Sequence, residues 1–305
     1  MSDKNRTIYA YIALTIGVIC LGWSAIFVNK AGVEDGSVSA FYRFVFAGAI
    51  MIPWWLIKRS KMPARRDLLL ICLAGAFFAA DLALWNTSLL VTNVTTSTLL
   101  VASAPLWVGL AIFIIFKQKL SIYYWIGLAI ALGGMVVLLG SEAIQGLTIG
   151  GASVTRGNLM ALGGSFCYAA YIITLQRTRM RVDSYTFMTF SIASAMVLLL
   201  VVNLAMGTQL TGYSAATYGW LVALGLITHL LGWLAINYAM GHLPHGPASV
   251  GLLGQSVVTA LLAMPLLGQF LSVYQIIGGL LVLSGIFLVN MKRRQQKNEA
   301  AGASG

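Results

Sequence analysis

Charge is what this 305-residue chain has least of: 9% of its residues are charged against 59% hydrophobic, and the mean hydropathy is +0.87. A soluble domain needs about 25% charged residues to solvate its surface, so a water-soluble globule is excluded. Acidic residues number only eight and are scattered, Glu34-Asp35 being the one adjacent pair, with no His-x-x-x-His or Asp-x-x-Asp pair. Enzymes that act on lipid-linked substrates group carboxylates or histidines near the membrane surface, so that class is disfavoured, and no metal site is expected. Cys20, Cys72 and Cys167 lie in apolar runs without ligand spacing and read as reduced core residues. No G-x-x-x-x-G-K-[ST] loop is present, so ATP hydrolysis and bound cofactors are not expected. Ten-residue alternation of the kind that marks membrane strands is also missing.

What remains is a series of apolar runs about 20 residues long, the length of helix that crosses the hydrocarbon layer. They fall at roughly 8–28, 38–57, 68–90, 94–116, 121–140, 157–177, 184–206, 216–240, 245–268 and 272–291. The expected fold is an all-α integral membrane protein with ten transmembrane helices. The formal net charge of +11 comes from basic residues in the short connections, which points to membrane topology rather than nucleic acid. If the N-terminus is cytoplasmic, that side holds every Lys and Arg except Lys30 and Arg156 on the far side and Arg43 within the second span. Both termini are therefore expected in the cytoplasm, in a bacterial inner membrane, with residues 292–305 as a disordered basic tail.

The chain also repeats itself. An offset of 151 positions lays Asn86 on Asn237, Ser121 on Ser272, Tyr123 on Tyr274 and Gly127 on Gly278. The units are 1–140 and 157–291. Each has five spans, an odd number, so the second enters the membrane from the opposite side and the pair forms an inverted repeat. A central cavity is expected where the halves meet.

Several motifs carry a family likeness. WSAIFVNK (Trp23 to Lys30), FYRF (Phe41 to Phe44), Ala104-Pro105 and GLAIALGGMVVLL (Gly127 to Leu139) have counterparts in CYAAYIITLQR (Cys167 to Arg177) and GGLLVLSGIFLV (Gly278 to Val289). In their order and ten-span setting they resemble the drug/metabolite transporter superfamily, in particular its EamA-type ten-helix exporters. Among these the bacterial aromatic amino acid exporters are the nearest match. Members often end the fourth and ninth spans in Gly-Glu; this chain has Lys117-Gln118-Lys119 and Gly268-Gln269, so no role for those acids carries over.

Polar and aromatic residues within spans supply the candidate site. Asp81 and Arg43 are the two ions inside spans and should face the bundle interior. Asp81 reads either as a protonatable or ammonium-anchoring carboxylate or as a structural partner of Arg43. Phe78, Leu82 and Asn86 form one helical stripe, matched by His229, Trp233 and Asn237 in the second half. Trp85, Trp107, Tyr168 and Tyr238 complete the expected solute-binding set, suited to flat organic molecules. Tyr171 belongs to the same mid-span aromatic group. Pro105 and Pro265 are candidate kinks or gates. The glycines of the fifth and tenth spans suit close packing or a homodimer surface. The expected function is secondary export of small organic solutes, amino acids first, by alternating access. The alternatives are a facilitative carrier, an exporter of another metabolite or organic cation, and, less favoured, a membrane enzyme. Expected partners are the solute and the lipid bilayer.

Overall fold

Hydrocarbon offers backbone N–H and C=O groups no water, so each apolar run closes its hydrogen bonds internally as helix. The structure is a computed structural model describing residues 3–33, 35–60, 62–92, 94–140, 152–267 and 272–302. Among them are nine helices long and apolar enough to cross a membrane, and a shorter apolar segment, Gly246–Leu262, which completes ten. The first span is Asp3–Gly22 and Ser24–Ala31, broken at Trp23; the second is Gly36–Ile57 and the third Arg65–Val91. The fourth is Val94–Val101 and Ala104–Ile114, and the fifth Ile122–Leu139. In the second half, Ala152–Arg179 and Ser184–Met206 are the sixth and seventh. The eighth joins Ala215–Ala223, a π-helical stretch Leu224–Gly232 and Trp233–Met240. The ninth is His245–Gly251 and Gly254–Leu267, and the tenth Val273–Gly302.

The repeat is visible in local chemistry. Ser121 caps the fifth span by accepting the Tyr124 N–H at 3.3 Å, and Ser272 caps the tenth by accepting the Gln275 N–H at 3.2 Å. The fourth and ninth spans break at nearly matching places, around Ser103 and Leu253. Pro105 opens the second piece of the fourth span, where a helix needs no N–H donor. The helix Gly254–Leu267 runs through Pro265, whose side chain lies outside the described residues. The ninth span's break therefore lies well ahead of that proline.

Packing fixes the relative direction of the halves. A Cβ on Gly127 would meet the carbonyl of Gly285, at 2.7 Å, while one on Gly134 would meet that of Gly278, at 2.8 Å. Advancing along the fifth span means retreating along the tenth, so these equivalent helices run antiparallel and the repeat is inverted. Gly127, Gly134, Gly278 and Gly285 are thus spent inside the chain, where the absence of side chains brings the two backbones together. Gly133, on the other face, meets nothing within 4 Å. Isoleucines 12 and 16, Leu69, Phe113, Leu159, Leu204 and Phe287 stay exposed, as lipid-facing side chains do, while Phe44, Tyr171, Phe187 and Trp233 fill the interior.

The tenth helix continues to Gly302, so the tail that composition marks as disordered is helical there. Its Gln, Lys, Arg, Glu and Ala residues are strong helix formers.

Gly134→Leu or Gly278→Leu should cost at least about 1–3 kcal/mol, because the added atoms meet backbone that cannot swing away. Gly133→Leu should stay within about 0.5 kcal/mol. Thermal unfolding midpoints of the three purified variants check this.

Candidate functional site

The interior meets at mid-membrane, where the second, third, sixth and eighth spans converge. Phe78 sits at the hub. Its ring stacks on Tyr171 at 4.4 Å between centroids and meets Trp233 edge-on at 4.8 Å. His229 stacks on it at 5.7 Å and meets Phe44 at 4.5 Å. Tyr168 lies 6.1 Å from Trp233. All of these side chains are buried. The hollow expected between the halves is therefore filled, in this conformation, by the rings themselves. Ring pairs satisfy one another at about 0.5–1.5 kcal/mol each beyond area burial, so these rings hold one another in place. A cleft of about 680 Å³ opens at the face carrying most basic residues, lined by Lys58, Asp67, Arg181, Asp183 and Tyr185 among others.

Local backbone explains how these groups meet. The π-helical stretch widens the eighth span around His229, and π segments often mark functional positions. Gly225, within it, lies so close to the second span that a Cβ would sit 2.6 Å from that of Phe46 and 3.2 Å from the Arg43 carbonyl. That contact brings the π stretch against Arg43. In the sixth span, Gly164 leaves room for Asp81, whose Oδ1 lies 3.3 Å from where a Cβ would be.

The electrostatics are unusual for hydrocarbon. Among the described residues, seven buried side-chain atoms have no hydrogen-bond partner: Arg43 Nε, Asp81 Oδ1, Trp85 Nε1, Tyr168 Oη, His229 Nδ1, Trp233 Nε1 and Asn237 Oδ1. Buried polar groups are normally paired, and an orphan costs about 1–3 kcal/mol. Arg43 makes one bond, donating to Ser24 Oγ at 3.3 Å, beside the break at Trp23. The anticipated Arg43–Asp81 ion pair does not form; the ion pair found among the described residues is Arg181–Asp67, at 2.7 Å. Asn237 spends its amide N–H on the Trp233 carbonyl at 3.0 Å.

Of the residues expected from sequence, Phe78, Tyr168, His229 and Trp233 come together, with Asp81, Trp85 and Asn237 alongside on the same helices. Trp107 packs at the margin of the same buried cluster without joining its ring contacts: its indole donates to Ser165 at 2.8 Å and its ring meets Phe166, which is exposed. Tyr238 is also outside those contacts, packed on His242 at 4.5 Å. Both sit a turn or more from the hub, where helical rotation carries them to other neighbours. The Asn86 side chain lies outside the described residues, so its pairing with Asn237 is not among the observations. Pro105 serves as an anchor, its carbonyl accepting the Tyr124 hydroxyl at 2.7 Å. Phe44 and Ser24 are additions; adjacency to Arg43 and to the Trp23 break was the available signal.

The face with most basic residues is latched. Arg181 pairs with Asp67 across the start of the third span, and Arg179 donates to the Asn237 carbonyl at 3.2 Å. Asp183 caps the seventh span, accepting the N–H groups of Tyr185 and Thr186, each at 3.0 Å, and the Thr186 hydroxyl at 2.7 Å. Burial alone would raise the Asp183 pKa, but those hydrogen bonds and the Arg179 charge outweigh it and hold the carboxyl below its ordinary value.

Comparison with known proteins agrees with this architecture. The EamA-like transporter family matches residues 8–140 and again 155–291. An uncharacterized transporter of Bacillus subtilis, YdfC, is 21% identical over 96% of this chain and 94% of its own length. A probable terminal-alkyne amino-acid exporter of Streptantibioticus cattleyicolor is 24% identical over 79% of each chain. A crystal structure with 18% identity shares the fold with a TM-score of 0.80, covering 97% of this chain and 99% of the other.

Because the folded-state carboxyl of Asp183 is the stronger acid, its contribution is present above the unfolded value and lost as pH falls through the lowered folded one. Asp183→Asn should therefore unfold more easily than wild type at neutral pH, and the gap should close on acidification. Denaturation midpoints across a pH series test the sign.

Proposed function

Because the chain belongs to the EamA-like transporter family, we propose that it exports small organic solutes, amino acids first, aromatic or other neutral ones, across a bacterial inner membrane by alternating access. One observation carries the reading: unpartnered donors and acceptors crowd round stacked rings at mid-membrane. Arg43 Nε and the indole N–H groups of Trp85 and Trp233 suit a carboxylate; Asp81 and Asn237 suit an ammonium; the rings suit an apolar or aromatic side chain. A zwitterion with a ring would satisfy all three at once. The relative described as a probable amino-acid exporter supports the same class.

The inverted pair of five-span units supplies the movement. Rocking of the halves would part the Arg181–Asp67 latch on one face and the packing of Phe27 on Trp220 and of Tyr42 on Tyr218 on the other, in alternation. With the basic connections inside, the latch faces the cytoplasm and both termini lie there.

Radiolabelled phenylalanine counterflow in proteoliposomes tests the proposal. Wild type should exchange it saturably, and Trp233→Ala, Asn86→Ala and Asn237→Ala together should lower the rate at least about tenfold, the equivalent of one lost charge-assisted hydrogen bond. Flux that is linear in concentration, or untouched by the triple change, would overturn the assignment.

A further inference from the structure

We propose that Asp81 is a proton-carrying carboxyl loaded from the outer face, along a hydroxyl stripe shared by the third, fourth and sixth spans. The inference rests on the transport reading above and names the driving ion rather than the solute. Asp81 is 5% exposed, its Oδ1 is unpartnered, and it faces the space left by Gly164. Outward from it, one face of the third helix carries Trp85 and Ser88 at i+4 and i+7, a rise of ~10 Å, and Thr92 follows just past the helix end in extended backbone. Ser88 is hydrogen-bonded to Ser97 of the fourth span. Thr92 donates to Asn158 Oδ1 of the sixth at 2.7 Å. Ser103 donates to Ser165, the neighbour of Gly164, at 3.1 Å. Inward, the same helix presents Phe78, Ala74 and Ile71, all buried and apolar.

That asymmetry sets the direction. A hydroxyl both donates and accepts, so a hydroxyl stripe can hold water and relay a proton, whereas packed hydrocarbon cannot. Hydronium at the outer face gives up a proton, an O–H bond forms on the Asp81 carboxylate, and the neutral acid results. When the inner side opens, that bond breaks to cytoplasmic water and the carboxylate returns; no electrons change hands. The titratable groups around Asp81 are Arg43 on the second span, Cys167 and Tyr168 on the sixth, and His229 on the eighth, across the Phe78 ring. The fourth span has no titratable side chain, and the seventh has only Tyr185 at its inner end.

Infrared difference spectra of the purified full chain in lipid nanodiscs, recorded across about pH 5 to 9, decide the matter. The expected result is a protonated carboxylic C=O band that responds to pH, persists in Asp67→Asn and is lost in Asp81→Asn. Its shift on transfer to deuterated water should slow about tenfold in Ser97→Ala and be unchanged in Ala74→Ser. Should Ser97→Ala not fold, Thr92→Val reads the same path. Absence of a band assignable to Asp81 would overturn the proposal. So would a band that answers to sodium chloride at fixed pH, or exchange indifferent to the hydroxyl variants. These readouts need no solute, so a failure of the amino-acid reading leaves them standing.

Discussion

In hydrocarbon a polar group without a partner has no water to fall back on, and that constraint orders this structure. Away from the centre the rule is met in full view. Asn203 accepts from Ser37 and Thr208 and donates to the Leu199 carbonyl, tying the second and seventh spans. Tyr124 is held by the Pro105 carbonyl, and Ser194 donates to the carbonyl of Cys72. Against that background the seven orphaned atoms, all on the helices that meet at the centre, are the exception among the described residues. Such a concentration of unsatisfied groups in an otherwise satisfied scaffold is what makes this place the candidate site.

The repeat builds the scaffold, and departures from it build the site. Under the 151-residue offset Phe78 corresponds to His229, Asp81 to Gly232 and Arg43 to Ser194. The third span is regular helix where the eighth is π-helical. Symmetry is retained where it serves packing: the glycines of the fifth and tenth spans, the matching serine caps, and the broken fourth and ninth spans. It is lost where one acid, one base and one widened turn meet. A zwitterion has unlike ends, and an asymmetric site inside a symmetric shell can tell them apart.

Much of this was legible in the residues. Span number, the inversion and the interior placement of Asp81 follow from hydropathy, odd parity and the cost of burying charge, all of which act one residue at a time. Phe78, His229 and Trp233, which helical spacing put on two stripes, lie buried together, His229 within a π-helical stretch that the spacing did not announce. Where Trp107 and Tyr238 point was not legible, because aromatic character says nothing about azimuth; only the neighbouring helices decide it. The filled centre was not legible either. Whether rings line a hollow or close it depends on distances between spans, here set by glycines 164 and 225, whose effect lies in what they lack. The missing Arg43–Asp81 pair has the same origin: opposite signs in one bundle do not imply contact.

A closed ring cluster also constrains what could open it. Parting Phe78 from Tyr171 and Trp233 forfeits about 0.5–1.5 kcal/mol per ring pair, beyond the area re-exposed. Water entering the gap would hydrate the orphaned polar atoms but return nothing to the ring faces. A small polar ion would do the same. A solute with a flat apolar part and charged groups restores both kinds of contact, so its binding offsets the cost of separation where water's does not. Selectivity would then come from the closed state itself: only a molecule able to replace both the stacking and the hydrogen bonds can hold the cluster apart.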